Sequence, residues 1–420
     1  MPIKPEQVRK DFPALQRDVV FFDNPGGTQV PNRVIDRMVS YLRDANANHG
    51  GAFETSKRSD EIIDEARQAM ADFLNASGPE EIVFGPNMTS LTFNLSRSLA
   101  RELEPGEEII VTRLDHDANI SPWLKVAKER GALVHWLDFD VEDCTLRLDQ
   151  LDQLLSDRTR LVAVGYASNA VGTINPVGDI IRRAQAAGAL TYIDAVQYAP
   201  HGPIDVQDLN CDFLVVSAYK FFGPHLGALY GKRELLERLQ AYRVRPAPTE
   251  PPGKFETGTQ NHEGIAGTLG ALEYLAELGQ SVNNDSVSGL TETERTRSSA
   301  LRPAMLAIQA YERELTDRLL NVLAEVPGLH IWGLQSSDTL DDRVPTVSFT
   351  MKGHDPRSIA TFLGNHDIYT WDGNYYALAV TERLGLEGQG GMLRVGLAHY
   401  NTIEEIDRLG EALHALADRS

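Results

Sequence analysis

From about residue 60 to residue 235, short and largely apolar runs alternate with segments whose apolar residues recur at helical spacing. The runs occupy residues 81–84, 108–112, 161–165, 190–194 and 213–217. Residues 60–76 carry Ile62, Ile63, Ala66, Ala69, Met70, Phe73 and Leu74 on one helical stripe, and residues 179–187 have the same character. A strand without polar alternation must be covered on both faces, and strands that alternate with helices are joined by crossovers and lie parallel. The chain is therefore predicted to be an α/β protein built on a largely parallel sheet.

The pattern changes after about residue 265. A long helix is expected over residues 305–326, with strands near 343–351 and 392–398, which gives a smaller α+β domain. Thr402-Ile-Glu-Glu405 fits a capping box, and Ile406, Leu409, Leu413 and Leu416 form one face of the helix that follows. The expected division is a large domain at 21–265 and a small one made of 1–20 and 266–420. Residues 281–300 are polar and weakly patterned, and are expected to be an insertion.

Forty Lys and Arg against sixty Asp and Glu give a net charge of −20. That balance argues against nucleic acid as a partner, which would require a clustered basic face. No stretch approaches the roughly 20 apolar residues of a membrane helix, and the first residues lack a signal-peptide pattern. Two cysteines, Cys144 and Cys211, are too few for a disulfide framework. A cytoplasmic setting is expected on these grounds. Eleven histidines include no His-x-x-x-His or His-x-His pair, so no metal site is expected.

In open parallel sheets, ligands gather at the carboxyl ends of the strands. Several polar residues fall at such positions here. Asp194 ends one run with Gln197 just after it, and Ser217 ends another just before Lys220. His116 and Asn169 follow two more, and Thr89 and Ser90 open the helix expected over residues 91–101. Singly, each has an ordinary reading: a turn aspartate, a packed histidine, a helix cap, a lysine reaching solvent. Together they supply what pyridoxal 5'-phosphate demands. That is a desolvated lysine for a Schiff base, a carboxylate for the pyridinium nitrogen, an imidazole plate for the ring, and a hydroxyl-rich helix N-terminus for the phosphate.

The chain resembles the class V aminotransferases, fold type I pyridoxal phosphate enzymes, on the cysteine desulfurase-like branch. Seven motifs carry the resemblance: Phe22-Asp-Asn-Pro-Gly-Gly-Thr-Gln-Val-Pro31, Asp115-His-Asp-Ala-Asn-Ile-Ser-Pro-Trp123, Ser168-Asn-Ala-Val-Gly-Thr-Ile-Asn-Pro176, Asp194-Ala-Val-Gln197, Ser217-Ala-Tyr-Lys220, Phe255-Glu-Thr-Gly-Thr259 and Arg394-Val-Gly-Leu-Ala-His-Tyr-Asn-Thr402. It implies a large domain with a mainly parallel seven-stranded sheet, a smaller α+β domain, and a homodimer. Lys220 is implied to carry the cofactor and move protons, Asp194 to hold the pyridinium nitrogen, His116 to stack on the ring, and Gln197 to reach the phenolic oxygen. Thr89, Ser90 and Ser217 are implied to bind the phosphate, and Thr259 that of the neighbouring subunit's cofactor. Arg394 would clamp the substrate carboxylate, with Asn169 contacting it or the ring oxygen. Gly27, in the Gly26-Gly27 pair, permits close backbone approach where the substrate is expected, though a plain turn has the same signature.

The chain departs from desulfurases at three positions. Tyr376 stands where that family has its nucleophilic cysteine, Tyr219 where it usually has histidine, and Trp371 where it often has arginine. The cofactor set is retained while the persulfide set is not. The expected activity is thus that of an enzyme acting at the α-carbon of an amino acid, as a β-eliminating C–S lyase or an aminotransferase. Tyr219, Tyr375 or Tyr376 would lie near the leaving group, and Tyr376 would be a substrate contact. A desulfurase with an unconventional sulfur acceptor, or a silent scaffold, are the alternatives.

Overall fold

The computed structural model describes residues 3–282 and 297–418. Among these, seven strands form the main sheet: β1 (Ile82–Gly85), β2 (Glu108–Thr112), β3 (Leu133–Leu137), β4 (Thr159–Gly165), β5 (Leu190–Asp194), β6 (Phe213–Ser217) and β7 (Gly227–Gly231). Their order is β1-β7-β6-β5-β4-β2-β3. Only the two pairings made by β7 are antiparallel. Successive side chains go to opposite faces, and the burial follows that alternation. Val83, Ile109, Val111, Leu161, Ala163 and Val215 join the core under the helices Met88–Leu99 and Ser121–Arg130. Phe84, Ile110, Val162, Val164, Leu214 and Val216 join the core under Glu54–Leu74, Val177–Ala186 and His262–Val282.

Strands β3 and β7 do not stand out in the sequence. The first is an edge strand that carries His135 and Trp136 between its leucines, and the second begins and ends in glycine. Neither is a continuous apolar run, the signal that picks out the other five.

A second sheet is antiparallel, in the order β10-β11-β9-β8: β8 (Leu329–Trp332), β9 (Thr346–Met351), β10 (Trp371–Gly373) and β11 (Met392–Gly396). Its core is closed by the helix Ile403–Ala417, whose capping box forms through Thr402 and Glu405 as expected.

The buried clusters divide the chain differently from the expected boundary at 265. Ile265, Leu269, Leu272, Met305 and Ile308, and also Ile3, Val8 and Phe12, pack in the core of the large sheet. The core of the small sheet begins at Leu315 and takes in Val20 and Phe22. We propose to place the division inside the helix Arg297–Ala324, between Ile308 and Leu315. Of the expected insertion at 281–300, Ser281 and Val282 finish one helix and residues 297–300 begin the next; 283–296 lie outside the described residues.

One loop joins the two sheets at the functional end. Asn24 donates to the Gly396 carbonyl at 2.8 Å and to Asn401 Oδ1 at 3.0 Å. Further along the loop, the Thr28 N–H donates to the Tyr219 carbonyl at 3.1 Å, and Thr28 Oγ1 accepts from the Phe222 N–H at 2.8 Å. The loop thus brackets the turn that bears Lys220. A methyl group at Gly396 would overlap the Pro25 ring. Gly396→Ala is expected to lose about 1–3 kcal/mol in urea unfolding, the usual cost of overpacking. Gly388→Ala, with open space around it, is expected to keep the wild-type midpoint.

Candidate functional site

The carboxyl ends of β1, β2, β4, β5 and β6 open on one cavity of about 640 Å³. From the large sheet it is lined by Thr89, His116, Asn169, Asp194, Gln197, Ser217 and Lys220. From the other side come Asp23, Trp371, Tyr375, Tyr376 and Arg394.

Lys220 sits on a 3₁₀ turn directly after β6. Its ammonium donates to the Pro25 carbonyl and lies 4.7 Å from the centre of the Tyr219 ring. Burial, reinforced by the Arg394 cation, brings its pKa down to about 7. The neutral amine is therefore abundant near neutral pH, which a nucleophile or base requires. His116 is driven down to about 4, first by burial and then by Lys220 and Arg394. Its Nδ1 accepts from the Ala118 N–H at 3.0 Å, which leaves an uncharged ring with its proton on Nε2.

Two buried carboxyls stand under the cavity. Asp194 accepts from the Val196 N–H at 3.0 Å, and burial raises its pKa to about 6. Asp115 is raised to about 7, again first by burial, with the Asp194 charge adding to it. Asp115 accepts from Thr112 Oγ1 at 2.8 Å, Asn119 Nδ2 at 2.7 Å and the Gly165 N–H at 2.9 Å. It thereby fixes the His116 loop to the end of β4.

Arg394 is buried on β11. It contacts Asp23 Oδ1 at 3.3 Å, donates to the Asn169 carbonyl at 3.0 Å, and lies 4.3 Å from the centre of the Tyr375 ring. Its Nε has no partner among the described residues, and neither has Asn169 Oδ1. A buried guanidinium with an unused donor, lining a cavity, is placed to receive an anion.

The arrangement fits pyridoxal phosphate. A cationic ring nitrogen would supply the counter-charge that Asp194 lacks. Thr89 and the first turn of the helix Met88–Leu99 border the cavity where an anion would be held, with Ser217 Oγ accepting from the Met88 N–H at 3.1 Å. Asn169 Oδ1 and Arg394 Nε offer unspent hydrogen bonds. Gln197 reaches the cavity while donating to Thr346 Oγ1 at 3.0 Å.

Three sequence-derived site residues stand outside the cavity lining. The Ser90 N–H is taken by Asn87 Oδ1 at 2.9 Å, so Asn87, and neither Thr89 nor Ser90, caps this helix. Gly26 lines the cavity where Gly27 was expected; a methyl on Gly27 would come within 3.3 Å of the Tyr219 ring. Thr259 is exposed and away from this chain's own cavity. Asp23 and Asp115 were passed over in the sequence although both lie in the motifs quoted above. The available signal was charge: a site holding Lys220 and Arg394 requires buried anions.

Cys144 and Cys211 are fully buried, both thiols are pushed up to about 12 by burial, and among the described residues no thiol lines the cavity. No helix among the described residues is long and apolar enough to cross a membrane.

A family model described as aminotransferase class-V matches residues 20–302 and 286–409. A cysteine desulfurase of Synechococcus elongatus is 35% identical over 433 residues, covering 98% of this chain; the chain spans 63% of that protein's length. The aminotransferase-like protein FGM3 of Gibberella zeae is 35% identical over 419 residues, covering 97% of each chain. Among solved structures, the apo cysteine desulfurase of Thermococcus onnurineus NA1 superposes with a TM-score of 0.87 at 27% identity, covering 100% of both chains.

Because the Lys220 pKa is lowered to about 7, its reaction with an added aldehyde has a defined pH course. Below that value the ammonium dominates, and each pH unit down should cut the rate roughly tenfold. Above it the rate should level off, where an ordinary lysine would still be climbing toward pH 10. Borohydride trapping of the cofactor-free protein, with mass spectrometry at Lys220, measures the curve.

Proposed function

The chain belongs to the class V aminotransferase family of pyridoxal phosphate enzymes, and from that premise we propose that it breaks a bond at the α-carbon of an amino acid, eliminating a group from the β-carbon. The observation that carries this reading is the cavity's chemical inventory: an amine poised near neutrality and an arginine with an unused donor, with no thiol among the described lining residues. An enzyme-bound persulfide has no residue to form on there.

Bound pyridoxal phosphate supplies an electron sink for the pair left on the α-carbon. Asp194 would hold the ring nitrogen, His116 would lie against the ring, and Thr89 and Ser217 would hold the phosphate. Arg394 would bind the substrate carboxylate through the Nε donor and the edge facing the cavity. Asp23, raised by burial but opposed by Arg394, keeps the guanidinium oriented. Lys220 takes the proton from the α-carbon. The leaving group departs with the bonding pair, and Tyr219, whose pKa burial raises, retains a proton to give it. The unsaturated amino acid that remains is hydrolysed by water to a 2-oxo acid and ammonium.

The working unit is proposed to be a homodimer in the cytoplasm, with an amino acid as the small-molecule partner. Ile35, Val39 and Leu42, spaced to share one side of the helix Asn32–Asp44, are 42%, 49% and 51% exposed, an apolar stripe suited to a second copy. Thr259 would then serve the partner's cofactor.

Incubation with S-substituted cysteines, cysteine and cysteine sulfinate tests the reaction. A 2-oxo acid released in step with ammonium supports elimination. Conversion of the cofactor to its amine form would indicate transamination, and sulfide with stoichiometric alanine would restore desulfuration and overturn the proposal. Arg394→Lys is expected to raise KM by roughly 10- to 100-fold, the loss of a charged hydrogen bond in a buried site. Steady-state kinetics on the same substrate checks it.

A further inference from the structure

The rim of the cavity is unusually aromatic for a surface in water. Trp371 is 55% exposed and Tyr376 is 75% exposed, and both line the cavity. Large rings grouped in solvent at a cavity mouth mark a binding surface more than a folding requirement.

Trp371 is the cross-strand partner of Arg394 on the β10–β11 ladder. Side chains directly opposite on an antiparallel pair rise from the same sheet face, with Cβ atoms about 5 Å apart. A substrate whose carboxylate meets Arg394 therefore carries its own side chain past Trp371.

Tyr376 lines the same cavity as Trp371. Its ring stacks on His116, with centroids 5.6 Å apart and planes at 20°. Tyr375 and Tyr376 adopt φ of 56° and 59°, two consecutive left-handed residues that are not glycine. Such residues persist only where their surroundings hold them, and they gather at ligand clamps. The hold is visible here. The Tyr376 carbonyl accepts from the Asp117 N–H at 2.7 Å, and the Tyr375 carbonyl accepts from Asn169 Nδ2 at 2.9 Å. Tyr375 also donates from its hydroxyl to the Met392 carbonyl. The result is a buried Tyr375 under the guanidinium and a ring at Tyr376 presented outward. Trp371 and Tyr376 also border a second cavity of about 330 Å³. A side chain that reaches both rings meets space on either side of them.

We infer that the substrate is an amino acid with an aromatic side chain, gripped between Trp371 and Tyr376. This rests on the function proposed above in taking Arg394 as the carboxylate clamp. Trp371 and Tyr376 are specificity residues in this arrangement: they read the side chain, while Lys220 and Arg394 handle the α-carbon and carboxylate.

The test separates binding from turnover. Absorbance titration of the holoenzyme with L-phenylalanine and L-alanine, neither of which has a β leaving group, reads affinity alone. Phenylalanine should bind at least roughly tenfold more tightly, and Tyr376→Ala or Trp371→Ala should each shrink that ratio several-fold, while Tyr376→Phe keeps it. Retained cofactor absorbance and circular dichroism certify that the variants are folded. Turnover of S-benzyl-L-cysteine and S-methyl-L-cysteine is then measured as 2-oxo acid. If phenylalanine binds more tightly but neither cysteine derivative is turned over, the aromatic pocket stands and elimination falls. If S-methylcysteine is turned over and phenylalanine binds no better than alanine, the aromatic pocket is overturned and elimination stands. A phenylalanine-to-alanine ratio unchanged in both alanine variants also overturns the grip.

Discussion

Arg394 is a full positive charge buried at the base of a cavity, and its compensation is incomplete. Asp23 meets it at 3.3 Å, a carbonyl takes one nitrogen, and Nε is left over. In a low-dielectric site this surplus charge reaches its neighbours with little screening. It helps depress Lys220, so that a group which would be a cation in water is available as a neutral base, and it helps keep the His116 ring uncharged. Removing surplus charge from Arg394 would alter both titrations as well as the binding of an anion. The same buried guanidinium thus conditions the lysine, the imidazole and the cavity they line.

The carboxylates complete the balance from below. Asp194 and Asp115 are both raised by burial, and the Asp194 charge makes Asp115 harder still to ionise. Asp115 spends its hydrogen bonds on Thr112, Asn119 and Gly165, so it acts as a structural pin for the His116 loop. Asp194 has one backbone donor and an open side toward the cavity, and a cationic ring would relieve its desolvation. Two neighbouring aspartates therefore have different duties, set by how many donors each one faces.

What could be read in the sequence follows from locality. Asp194, Ser217 and Lys220 were legible because each ends or follows a continuous apolar run, and such runs need cover on both faces of the sheet. Their gathering at one end of a sheet then follows from topology. Strand β3 escaped because His135 interrupts it at an edge, where burial on both faces is not required. The partnership of Asp23 with Arg394 spans 371 positions and leaves no local pattern. The proposed division differs from the expected one at 265 because a change in composition need not be a change of core: Ile265, Leu269, Leu272 and Leu275 pack beneath the large sheet. The helix cap at Asn87 was missed for a smaller reason: three adjacent polar residues compete there, and only backbone direction decides among them.

The loop through Asn24 and Pro25 has a consequence for how the protein is made. Residues near the start of the chain bond to Gly396 and Asn401, near its end, and Pro25 holds the ammonium of Lys220. During synthesis the strands of the large sheet can emerge and pair long before the last strand leaves the ribosome, yet the pocket has no floor until then. Such long-range closure is slow to form. A chain lacking β11 would present Lys220 without Arg394, so the charge balance of the cavity depends on both sheets being in place.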